Sequence, residues 1–257
     1  MGVRMSGTRR EPKVLPEARA RERGAAVSDA APAGLSLVRL LQLASPALPI
    51  GAYSYSQGLE WAVHAGSVRD AASAQRWIGD LLEHVLPRGD VALALRLLDT
   101  ARARDWNEFL RWNAFVRATR ETAELGAESE QTGHSLLRLL QDLALLDADV
   151  EALLPRVAPI SLPAAYAIAA NALAIGAEAA LTAYVWSWLE NQVLCAIKTV
   201  PLGQVAGQRM LLALGGRIPG TVARAQRTGD DDLANFAPGL ALASARHETQ
   251  YTRLFRS

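Results

Sequence analysis

"DAASAQRWIGDLLEHVLPRGDVALALRLL", residues 70–98, is where the fold class is decided. Trp77, Ile78, Leu81, Leu82 and Val85 recur at spacings of three and four, which gathers them on one face of a helix. A strand would instead alternate apolar and polar residues at every second position. Asp70 stands where a helix N-cap acceptor belongs, and Pro87, lacking a backbone N–H, ends the run. Asp90 is then expected to cap the next helix, with Val91, Ala94, Leu95 and Leu98 facing inward.

The same period extends in both directions. Upstream, Leu37, Leu40, Leu41 and Ala44 form a stripe that stops at Pro46 and Pro49, and a short helix follows Gly58 over Leu59 to Val63. Downstream, Asp105 can cap a helix carrying Trp106, Phe109, Leu110, Trp112 and Val116. A long helix runs from about Glu121, with Leu136, Leu139, Leu140 and Leu143 on one side. Pro163 suits the first turn of an Ala-rich helix over 164–175. Leu181, Val185, Trp188, Leu189, Val193 and Ile197 carry the core on to Lys198. Pro201 is expected to open a helix over 202–214, followed by short helices over 220–227 and about 239–250. The expectation is all-α: a single-domain bundle of about ten helices over 35–257.

Half of the 257 residues are hydrophobic, enough to bury a sizeable core. Basic and acidic residues number 27 and 26, so no global field draws the chain to nucleic acid or an anionic membrane. Residues 1–34 are rich in Arg, Ala, Pro, Gly and Glu and poor in large apolar side chains, and are read as a disordered N-terminal tail. Val157 to Ala177 carries no charge, but Pro159 and Pro163 interrupt it, so a buried helix is read there and no membrane span. The lone Cys195 can form no internal disulfide, which fits the cytoplasm, and its apolar setting suggests an inert buried thiol. Lysine occurs only at Lys13 and Lys198.

Several short patterns resemble chemistry. Ser54-Tyr55-Ser56-Gln57-Gly58 misses the nucleophile elbow because Ser54 replaces its first glycine and no strand leads in. "HETQY", residues 247–251, begins like a zinc helix but has Tyr251 at the second ligand position. Glu130 and His134 lie one helical turn apart and could share a metal or simply a solvated face. Glu121, Glu124, Glu128 and Glu130 read as an exposed helix face or a partner-facing surface. Asp230 to Asp232 read as a solvated loop and cap. No phosphate-cradling G-x-x-x-x-G-K-[ST] loop occurs. Residues 202–227 outline a helix-turn-helix with Thr221, Val222 and Arg224 on the second helix, the rival reading as a DNA binder. The end, "YTRLFRS", mixes Tyr251, Leu254 and Phe255 with Arg253 and Arg256, the composition of interface anchors, and reads either as packing onto its own domain or as a tail that orders on a partner.

Four longer stretches carry more weight. "LLQLASPALPIGAYSYSQGLEWAV", "TRETAELGAESEQTGHSLLRLL", "AIKTVPLGQVAGQRMLLAL" and "RHETQYTRLFRS" resemble, in this order, the motifs of the UreF family of urease accessory proteins. The resemblance spans Leu35 to Ser257. It implies an all-helical homodimer with no catalysis and no cofactor of its own. Its implied partners are UreD (also called UreH), the nickel-carrying GTPase UreG, and apo-urease, with nickel passing through the assembled complex at most. By the same resemblance Tyr53, Ser54, Tyr55 and Glu60 of the first stretch are partner-binding residues. So are Lys198 and, in the last stretch, His247, Glu248, Tyr251, Arg253, Leu254 and Phe255. Residues from about 246 to 257 correspond to a tail that orders against UreD, and Arg253 to an arginine that helps recruit the GTPase. Gly51, Gly58 and the prolines would make the Tyr53 loop stiff, and its tyrosines would offer area with a polar tip.

Overall fold

The computed structural model describes residues 1–2, 33–235 and 237–256, and the described residues from 33 onward form one compact unit. Among the described residues there is no β-strand, and twelve α-helices follow one another. They are α1 (Ala33–Leu43), α2 (Leu59–His64), α3 (Ala71–Asp80), α4 (Asp90–Ala103), α5 (Trp106–Ala118) and α6 (Ala123–Asp142), then α7 (Ala148–Val157), α8 (Leu162–Ala172), α9 (Ala177–Thr199), α10 (Gln204–Gly215), α11 (Ile218–Arg227) and α12 (Pro238–His247). The all-α expectation is met. The expected disordered tail falls, over residues 3–32, outside the described residues, while Ala33 and Gly34 already belong to α1.

In the opening stretch Asp70 does cap α3, accepting from the Ser73 amide at 2.8 Å while Ser73 Oγ accepts from the Asp70 amide at 3.1 Å. That reciprocal pair satisfies two backbone donors at the helix start. The helix then widens into a π-helical turn over Leu81–Val85 before Pro87. Asp90 does not cap α4, because Gly89 holds that position and Asp90 is the first helical residue. Its carboxylate lies 2.9 Å from the Arg120 guanidinium, a largely buried cation that needs a counter-charge. Pro201 does not open α10 either; the helix starts three residues beyond it, behind Gly203. Leu143, expected on the inner side of α6, lies past its end and is exposed. The spacing reading also passed over α7, a short helix with Pro155 inside it, capped by Asp147.

α8 is the centre of the core. Ala164 to Ala170 are all buried, since small side chains let neighbouring helices come close on every side. Gly133 marks the closest approach, where a Cβ would stand 2.6 Å from the Ile160 carbonyl oxygen and 2.8 Å from the Leu162 amide nitrogen. α9 buries Leu181, Val185, Leu189 and Val193 together with Asn191 and Gln192, a polar pair within an apolar stripe. The uncharged run from Val157 to Ala177 divides among the end of α7, a loop, α8, the turn after it and the first residue of α9. Among the described residues no helix is long and apolar enough to cross a membrane.

Candidate functional site

The loop before α2 owes its shape to its glycines. Gly51 and Gly58 take φ of 77° and 80°, values that side-chain-bearing residues rarely adopt. At Gly58 a Cβ would also meet the Ser244 amide nitrogen at 2.9 Å, so α2 can press against α12 only through a glycine. Between them Ala52–Ser54 form a single 3-10 turn.

Polar side chains of α6 and α9 hold this loop. Tyr53 donates to Glu190 Oε2 at 2.6 Å, and Tyr55 to Gln131 Oε1 at 2.6 Å. Burial first, and then that carboxylate, push the Tyr53 phenol above its ordinary value, so it stays a neutral donor. Trp188 Nε1 donates to Gln57 Oε1, and Gln57 Nε2 to Glu128 Oε1, each at 2.8 Å. Asn191 donates to the Tyr55 carbonyl at 2.9 Å and Gln192 to that of Ser56 at 3.3 Å. The polar pair inside α9 thus satisfies backbone acceptors of the loop that burial would otherwise orphan. Cys195 lies in the same wall, and burial pushes its thiol up, which keeps it protonated and unreactive as expected.

The chain end returns to this loop. The Arg256 amide donates to the Ser54 carbonyl at 2.8 Å. Phe255 is 7% exposed, with Lys198 Nζ 5.4 Å from its ring centroid. Glu60 accepts from the amides of Leu254 at 2.7 Å and Phe255 at 3.0 Å. His247 is fully buried, its Nε2 3.2 Å from Glu60 and its Nδ1 2.8 Å from Glu124. Glu124 also accepts from Arg253 Nη1 at 2.7 Å.

All the residues expected at a partner surface therefore cluster, though not all face outward. Ser54, Lys198, Glu248, Tyr251, Arg253 and Leu254 are exposed, and Tyr53 is half-buried. Tyr55, Glu60, His247 and Phe255 are buried and face the chain's own loop and tail. Glu124 was legible only as one of an acidic run, yet it lies under the tail, and Glu128 is buried against the loop. Glu130 pairs with Arg117 at 2.8 Å. The signal that would have separated them is helical phase: Glu124 and Glu128 stand four apart on one face, Glu130 on another.

The rival chemistries have no geometry behind them. Ser56 is fully buried, its Oγ 3.3 Å from the Glu60 amide that donates to it. Thr221 and Val222 are buried, and Thr221 Oγ1 donates to the Leu82 carbonyl, so α11 turns its would-be reading face into the core. No group of three metal-binding side chains assembles among the described residues.

Fold and site together define a class: an all-helical protein whose distinctive residues are spent on fixing a loop and a chain end at its surface. The UreF family model matches residues 68–215, and the chain belongs to the UreF family. It is similar to the urease accessory protein UreF of Azoarcus sp. (strain BH72), 55% identical over 235 residues, covering 88% of this chain and 98% of that one. It is also similar to the urease accessory protein UreF of Dechloromonas aromatica (strain RCB), 51% identical over 224 residues, covering 87% and 98%. The Methylobacillus flagellatus protein of the same name is 50% identical over 222 residues, covering 86% and 98%.

Proposed function

We propose that the chain is a non-catalytic adaptor in the maturation of urease. Its Tyr53 loop and docked tail hold a UreD-like protein, and the assembled surface recruits a UreG-like GTPase that carries nickel to apo-urease. Nickel is cargo in this scheme, with no resident cofactor, and the work takes place in the cytoplasm. The observation that carries the reading is the tail itself: Phe255 anchors it, while Tyr251 is wholly exposed and Leu254 is 71% exposed. Apolar groups held outward on a pinned backbone lose little entropy on binding.

A second copy of the chain is a further partner. Leu37, Val38 and Leu41 of α1 and Val205 and Leu212 of α10 are exposed, on two helices that both pack on α9. Exposed apolar faces of this kind mark protein contacts, and light scattering of the purified chain would read the dimer directly.

Arg253→Ala tests the division of labour. The variant is expected to capture the UreD-like protein as well as wild type and to lose GTPase recruitment. Loss of both contacts, or of neither, would count against it.

A further inference from the structure

We propose that Glu60 and Glu124 are the positioning residues of the tail, the first setting its register and the second aiming Arg253. This rests on the adaptor reading above.

Both carboxylates are largely withdrawn from water, with side-chain exposures of 8% and 14%. A buried carboxylate is costly unless donors surround it. For Glu60 those donors are the Leu254 and Phe255 amides, with the His247 ring nitrogen 3.2 Å away, all contributed by the last eleven residues of the chain. The tail there is irregular, and two successive N–H groups without a helix or strand need acceptors. One carboxylate supplies both, in charge-assisted bonds roughly twice as strong as neutral ones.

The two acids read different parts of the tail. Glu60 contacts only its backbone and the His247 ring, so it fixes position without regard to the exposed side chains. Glu124 holds the Arg253 guanidinium by one nitrogen, and that side chain keeps 38% of its surface in solvent. The Glu124 amide in turn accepts its place by donating to Glu248 Oε1 at 3.3 Å. His247 lies between the two carboxylates and couples them, since each ring nitrogen faces one. Gly58 makes this possible by letting α2, which carries Glu60, lie against α12.

The test uses the full-length chain carrying Glu60→Gln, Glu124→Gln or Arg253→Ala, read by amide hydrogen exchange and by binding to the UreD-like protein and the GTPase. Glu60→Gln is expected to speed exchange at Leu254 and Phe255 at least tenfold, leave the amides of α4, α8 and α9 protected, and weaken UreD-like binding at least tenfold. Leu254→Pro, which deletes one donor and leaves the acid in place, is expected to speed exchange at Phe255 and weaken UreD-like binding by similar factors, and covers the case in which Glu60→Gln folds poorly. Glu124→Gln is expected to match Arg253→Ala in GTPase recruitment, with the double variant no worse than either. Unchanged exchange at Leu254 and Phe255 in Glu60→Gln, together with unchanged exchange at Phe255 in Leu254→Pro, overturns the register role. Additive losses in the double variant overturn the aiming role. Faster exchange with undiminished partner binding sustains the clamp and overturns the adaptor reading instead.

Discussion

Gly133→Ala asks whether the scaffold under the site is as tightly built as the close approach of α6 to α8 implies. The added Cβ would lie 2.6 Å from the Ile160 oxygen, 2.6 Å from the Ser161 carbonyl carbon and 2.8 Å from the Leu162 nitrogen. All three are backbone atoms, so no side chain can swing aside. Ordinary contact begins near 3.4 Å, and the helices must therefore part by roughly 0.8 Å. Overpacking of this kind costs about 1–3 kcal/mol, and the upper end applies where backbone must move. Opening the gap also strains the Ser161 amide bond to Asn113 at 2.9 Å and the Leu162 amide bond to Ser129 at 3.3 Å, worth about 1 kcal/mol each. Replacing a mid-helix glycine returns about 1 kcal/mol of helix propensity. The net loss is about 4 kcal/mol, which for a chain of this size lowers Tm by roughly 8–16 °C. Thermal unfolding followed by far-UV circular dichroism measures it. Gly126→Ala in the same helix is the control, because its Cβ meets nothing closer than 3.9 Å and should raise Tm slightly. A Gly133→Ala protein melting at or above Gly126→Ala would refute the reasoning.

Phe255→Ala removes the tail's apolar anchor, a loss of about 3–5 kcal/mol for a buried phenyl; the tail can detach alone, so exchange at residues 254–256 should rise while Tm barely moves. The fold favours the neutral Tyr53 phenol, whose folded pKa is raised above the ordinary 10.0, so its contribution to stability is whole below about pH 10 and lost as pH climbs through the higher folded value. Tyr53→Phe should flatten that alkaline loss in denaturant titrations, and an unchanged slope would count against it. Cys195 should resist a thiol reagent at pH 8 until denaturant is added, and prompt labelling of the native chain would contradict its burial.

Periodicity was enough for most of the helices because each buries a stripe; capping acids placed the starts of α3 and α5, and a first-turn proline that of α8, within two residues. It misplaced Asp90 because an acid at a helix start serves equally as a cap or as the partner of a distant cation, and Arg120 is thirty residues away. It passed over α7 because an internal proline and only ten residues leave a weak pattern. For the site, the residues that the motif resemblance singled out, Tyr53, Glu60, Lys198 and the chain end, lie close together in the fold. What it could not tell was direction. Tyr55, Glu60, His247 and Phe255 turn inward, and Glu124 joins them, through contacts spanning well over a hundred residues that no local spacing encodes. Asn191 and Gln192 were the one local hint, since a polar pair in an apolar helix must answer to some backbone.

The most direct measurement is capture of a purified UreD-like protein by the chain ending at Gln250, compared with the full chain. This truncation keeps His247 beside Glu60 and Glu124 and removes the exposed grips, Phe255 and the tail amides that bond Glu60 and Ser54. The account requires full helical circular dichroism with capture reduced at least a hundredfold. Undiminished capture by the shortened chain would contradict it.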